Sequence, residues 1–157
     1  MKRKIFQKTA LLLSVVLIIC SLCFALSSCT LTQSNLSDST SKSIDIREDG
    51  NYSSKEEVAG YIHKYGKLPG NFITKSEAKS LGWDSKKGNL WEVAPGKSIG
   101  GGRYSNYEET LPVKKGVKYF ECDINYSGGH RGAERIVYSS DGHVYYTNDH
   151  YETFSEV

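Results

Sequence analysis

The sequence predicts an α+β domain in which two or three N-terminal helices pack on an antiparallel β-sheet meander. Three observations point there. Between Ser53 and Val93 apolar residues recur at helical spacing behind capping signals. After Pro95 the pattern changes to strict alternation. Ser140-Asp141-Gly142 then supplies a hairpin turn between two alternating runs. Helices first and hairpin-linked strands after define the class.

The elements follow in order. Ser53 and Ser54 precede Lys55-Glu56-Glu57, and Val58, Tyr61, Ile62 and Tyr65 form one helical stripe that Gly66 and Pro69 stop. Thr74-Lys75-Ser76-Glu77 is a capping box, in which Thr74 caps a second helix and Glu77 reaches back. Ala78, Leu81 and Trp83 continue its apolar side, with Gly82 as the stop. A third short helix is expected near Asn89–Val93, before Pro95. Lys118–Asn125 reads as a strand, with Tyr119, Glu121 and Asp123 on one face and Phe120, Cys122 and Ile124 on the other. Arg135–Ser139 and His143–Asn148 follow as its hairpin partners, and Thr153–Val157 as a short edge strand. Gly100-Gly101-Gly102 reads as a turn or a bulge in an edge strand.

The 157 residues leave room for one domain and a leader. MKRKIFQK carries four positive charges and no negative one, and residues 10–26 carry no charge at all. This is the basic and apolar order of an export signal. Leu26-Ser27-Ser28-Cys29 resembles the bacterial lipobox, in which the cysteine is lipidated and becomes the mature N-terminus. Ordinary signal cleavage and an uncleaved anchor are the alternatives. Residues 1–28 are thus expected to be a lipoprotein-type signal, 29–51 a flexible Ser/Thr/Asp/Asn-rich tether, and 52–157 the domain. Cys20 and Cys23 fall inside the apolar run, so their CxxC spacing is neither a metal nor a redox motif. Cys122 is left alone in the domain and is expected to be buried and inert.

Charge excludes a broadly basic nucleic-acid binder. Residues 52–157 hold fourteen Lys/Arg and fourteen Asp/Glu. Any electropositive site must therefore be local. Gly96-Lys97-Ser98 carries only a fragment of a phosphate loop, and the strand–glycine–helix context is missing, which excludes nucleotide hydrolysis. What remains is a carboxylate on a strand face (Glu121), a histidine after the last long strand (His150), and arginines at i and i+4 (Arg131, Arg135). Phosphodiester cleavage by an internal hydroxyl needs a base, an acid and cations around the phosphate oxygens, and it needs no metal. Histidine suits such work because its free pKa lies near neutrality. Spacing alone leaves this reading level with a plain one, satisfied ion pairs on a sheet.

From about Glu57 to Val157 the chain resembles the barnase family of bacterial ribonucleases. The resemblance rests on KLPGNFITKSEAKSLGW at 67–83, APGKSIGG at 94–101, DINYSGG at 123–129, ERIVYSSDG at 134–142 and TNDHYETF at 147–154. It implies a monomeric, cofactor-free, guanine-preferring endoribonuclease acting through a 2′,3′-cyclic phosphate. It implies Glu121 as general base and His150 as general acid, with Lys75, Arg131 and Arg135 holding the phosphate and Asp123 orienting the arginines. Tyr104, Ser105, Asn106, Glu108 and Tyr151 match substrate-binding positions: the backbone at Ser105-Asn106 reads guanine, and Glu108 accepts from its N1–H and amino group. A barstar-type protein inhibitor is the implied partner, and the lipobox adds a membrane tether. Four positions depart from the family. Tyr107 replaces an arginine at the rim of the substrate site, which weakens the expectation of guanine preference and of inhibitor binding. His130 replaces an aromatic residue, Gly142 a core tryptophan, and Gly66 a histidine at the end of the first helix. A catalytically weak, surface-tethered RNA- or protein-binding lipoprotein on the same fold is the competing class.

Overall fold

The computed structural model describes residues 44–157. The segment expected to be a signal, Cys29 and the expected tether through residue 43 lie outside the described residues. Helix α1 spans Lys55–Tyr65, strand β1 Phe72–Ile73, α2 Lys75–Ser80 and α3 Leu90–Val93. Strands β2 (Ser98–Tyr104), β3 (Tyr119–Asp123), β4 (Arg135–Ser139), β5 (Val144–Thr147) and β6 (Ser155–Glu156) follow. The six strands form one sheet in sequence order. Every pairing from β2 onward is antiparallel, and β1 runs parallel to β2. This is an α+β fold.

Local chemistry explains the helices. Ser54 and Glu57 form a capping box at the start of α1, and Gly66 closes it in the left-handed region at φ 66°, its N–H donating to Ile62 O at 2.7 Å. Thr74 and Glu77 form a second box on α2. That helix ends at Ser80, one residue short of the expected stripe. Leu81 therefore turns outward and is exposed, while Ala78 and Trp83 stay buried. The apolar face of α1 (Val58, Ala59, Ile62) packs on Cys122, Ile124, Ile136 and Val144 from one face of the sheet. Burial there pushes the Cys122 thiol pKa up and disfavours the thiolate. Ala78, Trp83, Leu90, Ala94, Ile99 and Tyr126 form a second core under α2 and α3.

Among the described residues, the opposite sheet face carries no helix. Tyr119, Val137 and Tyr145 are covered there by Leu111 and, at the margin, by Tyr104, Tyr151 and Phe154. Alternation along β3 is what puts Glu121 on this face and Cys122 on the other. Opposite Glu121 stands Gly102, after a register slip between Gly100 and Gly102. The expected bulge is therefore present, with Gly101 at φ 82°. The strand is not an edge over its first residues, because Phe72 and Ile73 pair with Ser98 and Ile99. Gly100 has no room for a side chain: a Cβ would lie 2.7 Å from Phe72 and 2.8 Å from Cys122 and Leu68.

The segment read as a tether is partly structural. Ile46 is 8% exposed and sits on α1 beside Gly60, where an added Cβ would lie 3.5 Å from its side chain, an ordinary contact. Lys64 Nζ donates to Ile46 O at 2.6 Å, and Tyr61 Oη to Glu48 O at 3.0 Å. A polar composition hides one isoleucine whose neighbours lie on a distant helix face. Ile46→Ala is expected to lower unfolding free energy by about 2 kcal/mol, the low end for a large-to-small core change. Urea denaturation measures this, and an unchanged midpoint would return residues 44–51 to the tether.

Candidate active site

Glu121 lies at the centre of β3 with its side chain 12% exposed. Two groups hold it. Lys75 Nζ donates to Oε1 at 2.8 Å, and the Tyr151 hydroxyl donates to Oε2. Lys75 is the first residue of α2, so the Thr74 cap also fixes where its stem leaves the helix. Burial by itself raises the Glu121 pKa. The Lys75 and Tyr151 hydrogen bonds, with the charges of Lys75 and Arg131, outweigh it and hold the carboxyl below its ordinary range. Burial and the Glu121 contact push the Tyr151 phenol up, so it stays a donor. The result is an ionised carboxylate with little water around it.

Two residues along the same strand, Asp123 is buried and faces two arginines. Arg131 Nε and Nη2 reach its two oxygens, each at 2.6 Å, in a bidentate fork. Arg135 Nε lies 3.0 Å from Oδ1 but off the line of a hydrogen bond, so that contact is Coulombic. Arg135 Nη1 donates instead to Gly132 O and Glu134 O, at 2.8 and 2.7 Å. One buried carboxylate thus sets two cations beside Glu121.

His150 and Tyr151 both occupy the left-handed region, at φ 60° and 81°. Non-glycine residues rarely do so, and such strain persists where surroundings over-determine it. Here Thr147, 1% exposed, accepts from Tyr151 N at 3.1 Å and donates to Asp149 Oδ1 at 2.7 Å. Asp149 Oδ1 also accepts from Thr153 N at 3.0 Å. The Thr153 hydroxyl and N–H, with the Thr147 hydroxyl, pull the Asp149 pKa down to about 2. This lock around the histidine loop was not among the residues the sequence pointed to. Its only trace there is Thr147 and Asp149 in a row with His150.

His150 stands between two clefts. One, of about 380 Å3, is lined by His130, Arg131, Arg135 and His150 over Trp83 and Gly88. The other, of about 480 Å3, is lined by Tyr104, Ser105, Tyr107, Glu108, Tyr151 and again His150. Tyr104 and Tyr151 stack at 5.3 Å with planes 24° apart and form an aromatic wall. Of the predicted residues, Glu121 and Lys75 line neither cleft, and the Asn106 side chain turns away from both. Asn106 is buried, accepting from Leu111 N at 3.0 Å and donating to Leu111 O at 2.8 Å. It braces the loop, with Asn106 itself at φ 47°. Among the described residues, nothing accepts from the N–H groups of Tyr107 and Glu108. His130 sits in the cationic cleft with Arg131 and Arg135. Cys29 lies outside the described residues.

A buried ionised carboxylate, a histidine between two open clefts and paired arginines are the equipment of an enzyme that cleaves phosphodiesters without a redox or carbonyl step. Sequence comparison makes the class definite. A family profile described as ribonuclease matches residues 55–157. A ribonuclease of Heyndrickxia coagulans is 56% identical over 100 residues, 64% of this chain and 92% of that protein. Ribonucleases of Bacillus intermedius and Bacillus pumilus are also 56% identical over 100 residues, covering 64% of this chain and 62% of each of theirs. The chain thus spans less than two thirds of the length of those two. It belongs to the ribonuclease family, in its barnase-type microbial branch, with RNA as the substrate class.

Proposed function

We propose that the chain is a metal-independent, guanine-preferring endoribonuclease that cleaves single-stranded RNA in two steps. Glu121 takes the proton from the ribose 2′-OH, and the oxygen attacks the adjacent phosphorus. The bond to the 5′ oxygen breaks, and His150 gives that oxygen its proton. A 2′,3′-cyclic phosphate results. In the second step His150 takes a proton from water, the hydroxide opens the ring, and Glu121 returns its proton to the 2′ oxygen, leaving a 3′-phosphate. Lys75, Arg131 and Arg135 offset the charge that grows on the phosphate. Glu108 and the loop amides face the guanine edge, over the Tyr104–Tyr151 wall. The observation that carries this reading is the Glu121 carboxylate, held ionised in a mostly buried position by Lys75 and Tyr151.

Digestion of a defined RNA in excess EDTA, with both ends of each fragment mapped, tests it. Cyclic phosphates and then 3′-phosphates after guanosine are expected, and DNA is left whole because it lacks the 2′-OH. Abolition of cleavage by the chelator sinks the metal-free mechanism. RNA binding without product would favour the surface-tethered binding lipoprotein.

The same reading places the enzyme outside the cell, as a monomer tethered through Cys29 to the outer face of the cytoplasmic membrane. There it scavenges RNA, and a barstar-type inhibitor would matter only before export. Labelling cells with a radioactive fatty acid checks the tether. Label on the wild-type chain and none on Cys29→Ser is expected, and equal absence from both argues for ordinary secretion.

A further inference from the structure

Tyr107 is 92% exposed, the most open of the large hydrophobic side chains among the described residues. Among the described residues it makes no hydrogen bond and pairs with no ring. Its backbone is nevertheless firmly held. Asn106 is tied to Leu111 by two hydrogen bonds, and Glu109 N donates to Asn106 O at 3.1 Å across the turn that carries Tyr107. The chain thus spends a braced loop on presenting an uncommitted aromatic ring at the rim of a cleft. That cleft already has an aromatic wall, Tyr104 stacked on Tyr151, and Tyr107 lines it together with them.

We infer that Tyr107 is a base-stacking residue of the substrate site: its ring closes over the open face of a purine whose other face lies on the Tyr104–Tyr151 wall. The inference rests on the ribonuclease reading and adds to it a residue that determines specificity. A planar base seated against one wall leaves its second face in water. Tyrosine covers such a face at low entropic cost, because only two side-chain torsions need be fixed. Stacking favours any base with a large π-face, whereas Glu108 can reward only a guanine edge. Tyr107 therefore raises affinity for adenine and guanine alike and narrows the gap between them. Being neutral, it does this with little dependence on salt.

Equilibrium titration of the full chain with 3′-GMP and 3′-AMP tests this without turnover. Tyr107→Ala should weaken both by roughly 5- to 150-fold, the range for losing one base–aromatic stack. Tyr107→Phe keeps the ring and should stay within about twofold of wild type. Three results overturn the inference: Tyr107→Ala binding both nucleotides as the wild type does, Tyr107→Phe falling as far as Tyr107→Ala, or a loss confined to 3′-GMP. The RNA digestion separates the two levels. A wild-type chain that leaves RNA uncut fails the ribonuclease reading. One that cuts RNA while Tyr107→Ala binds normally fails only the stacking role. Because the side chain is almost wholly in solvent, both variants are expected to fold.

Discussion

Glu121→Ala is expected to lower kcat/KM on RNA by about 10²- to 10⁴-fold, the usual contribution of a positioned general base. Retention of near-wild-type turnover would remove Glu121 as the base. The pH profile gives the sharper test. A base works only when unprotonated, and the Glu121 pKa is held below its ordinary range. The acid limb of kcat/KM should therefore lie below the usual glutamate value of about 4.3. Lys75→Ala removes one of the two hydrogen bonds that oppose burial, so the carboxyl pKa rises and the acid limb moves to higher pH. An acid limb that stays in place would separate it from Glu121. The sign for stability is the same. A depressed carboxylate contributes stability above its unfolded pKa, and that contribution is lost as pH falls through the folded one.

Asp123→Ala is expected to cost about 3–5 kcal/mol of stability, the range for breaking a buried ion pair by removing one partner. Asp123 is 2% exposed and Arg135 3%, so the guanidinium would keep its burial and lose its countercharge. Arg131, 20% exposed, can turn toward water and would lose its fork on the carboxylate. Activity should fall with stability, since the two arginines that line the His150 cleft would no longer be held side by side. Chemical denaturation reads the first effect. A loss below about 1 kcal/mol would mean that the contacts at Asp123 are worth no more than a surface pair.

These two residues show how far the sequence reaches. Alternation in Tyr119–Asp123 placed Glu121 and Asp123 on one face, and the structure keeps them there. It could not supply their partners. Lys75 lies 46 positions from Glu121 in sequence, and Tyr151 lies 30. No period links such pairs, and family likeness suggested only that Lys75 and Tyr151 belong to the site, not that they hold Glu121. The strands β1 and β2 were missed as a pair for a related reason. Phe72–Ile73 is too short to show alternation, and Ser98–Gly102 is mostly small residues whose pairing depends on what approaches Gly100. Leu81 fitted a helical stripe but lies beyond the end of the helix, in solvent. Ile46 fitted a tether and is buried on Gly60.

What the sequence determined by itself is local. Both capping boxes, the glycine stop at Gly66, the order of helices before strands and the two faces of β3 each follow from residues within one or two turns or along one strand. What only the tertiary structure decided is the electrostatic state of the site. Glu121 is ionised because an ammonium and a phenol meet it from elsewhere in the chain, and His150 opens on two clefts because Thr147 and Asp149 lock a strained loop. Periodicity records which way a side chain points. Its charge depends on what surrounds it in space, and that is set only when the chain closes on itself.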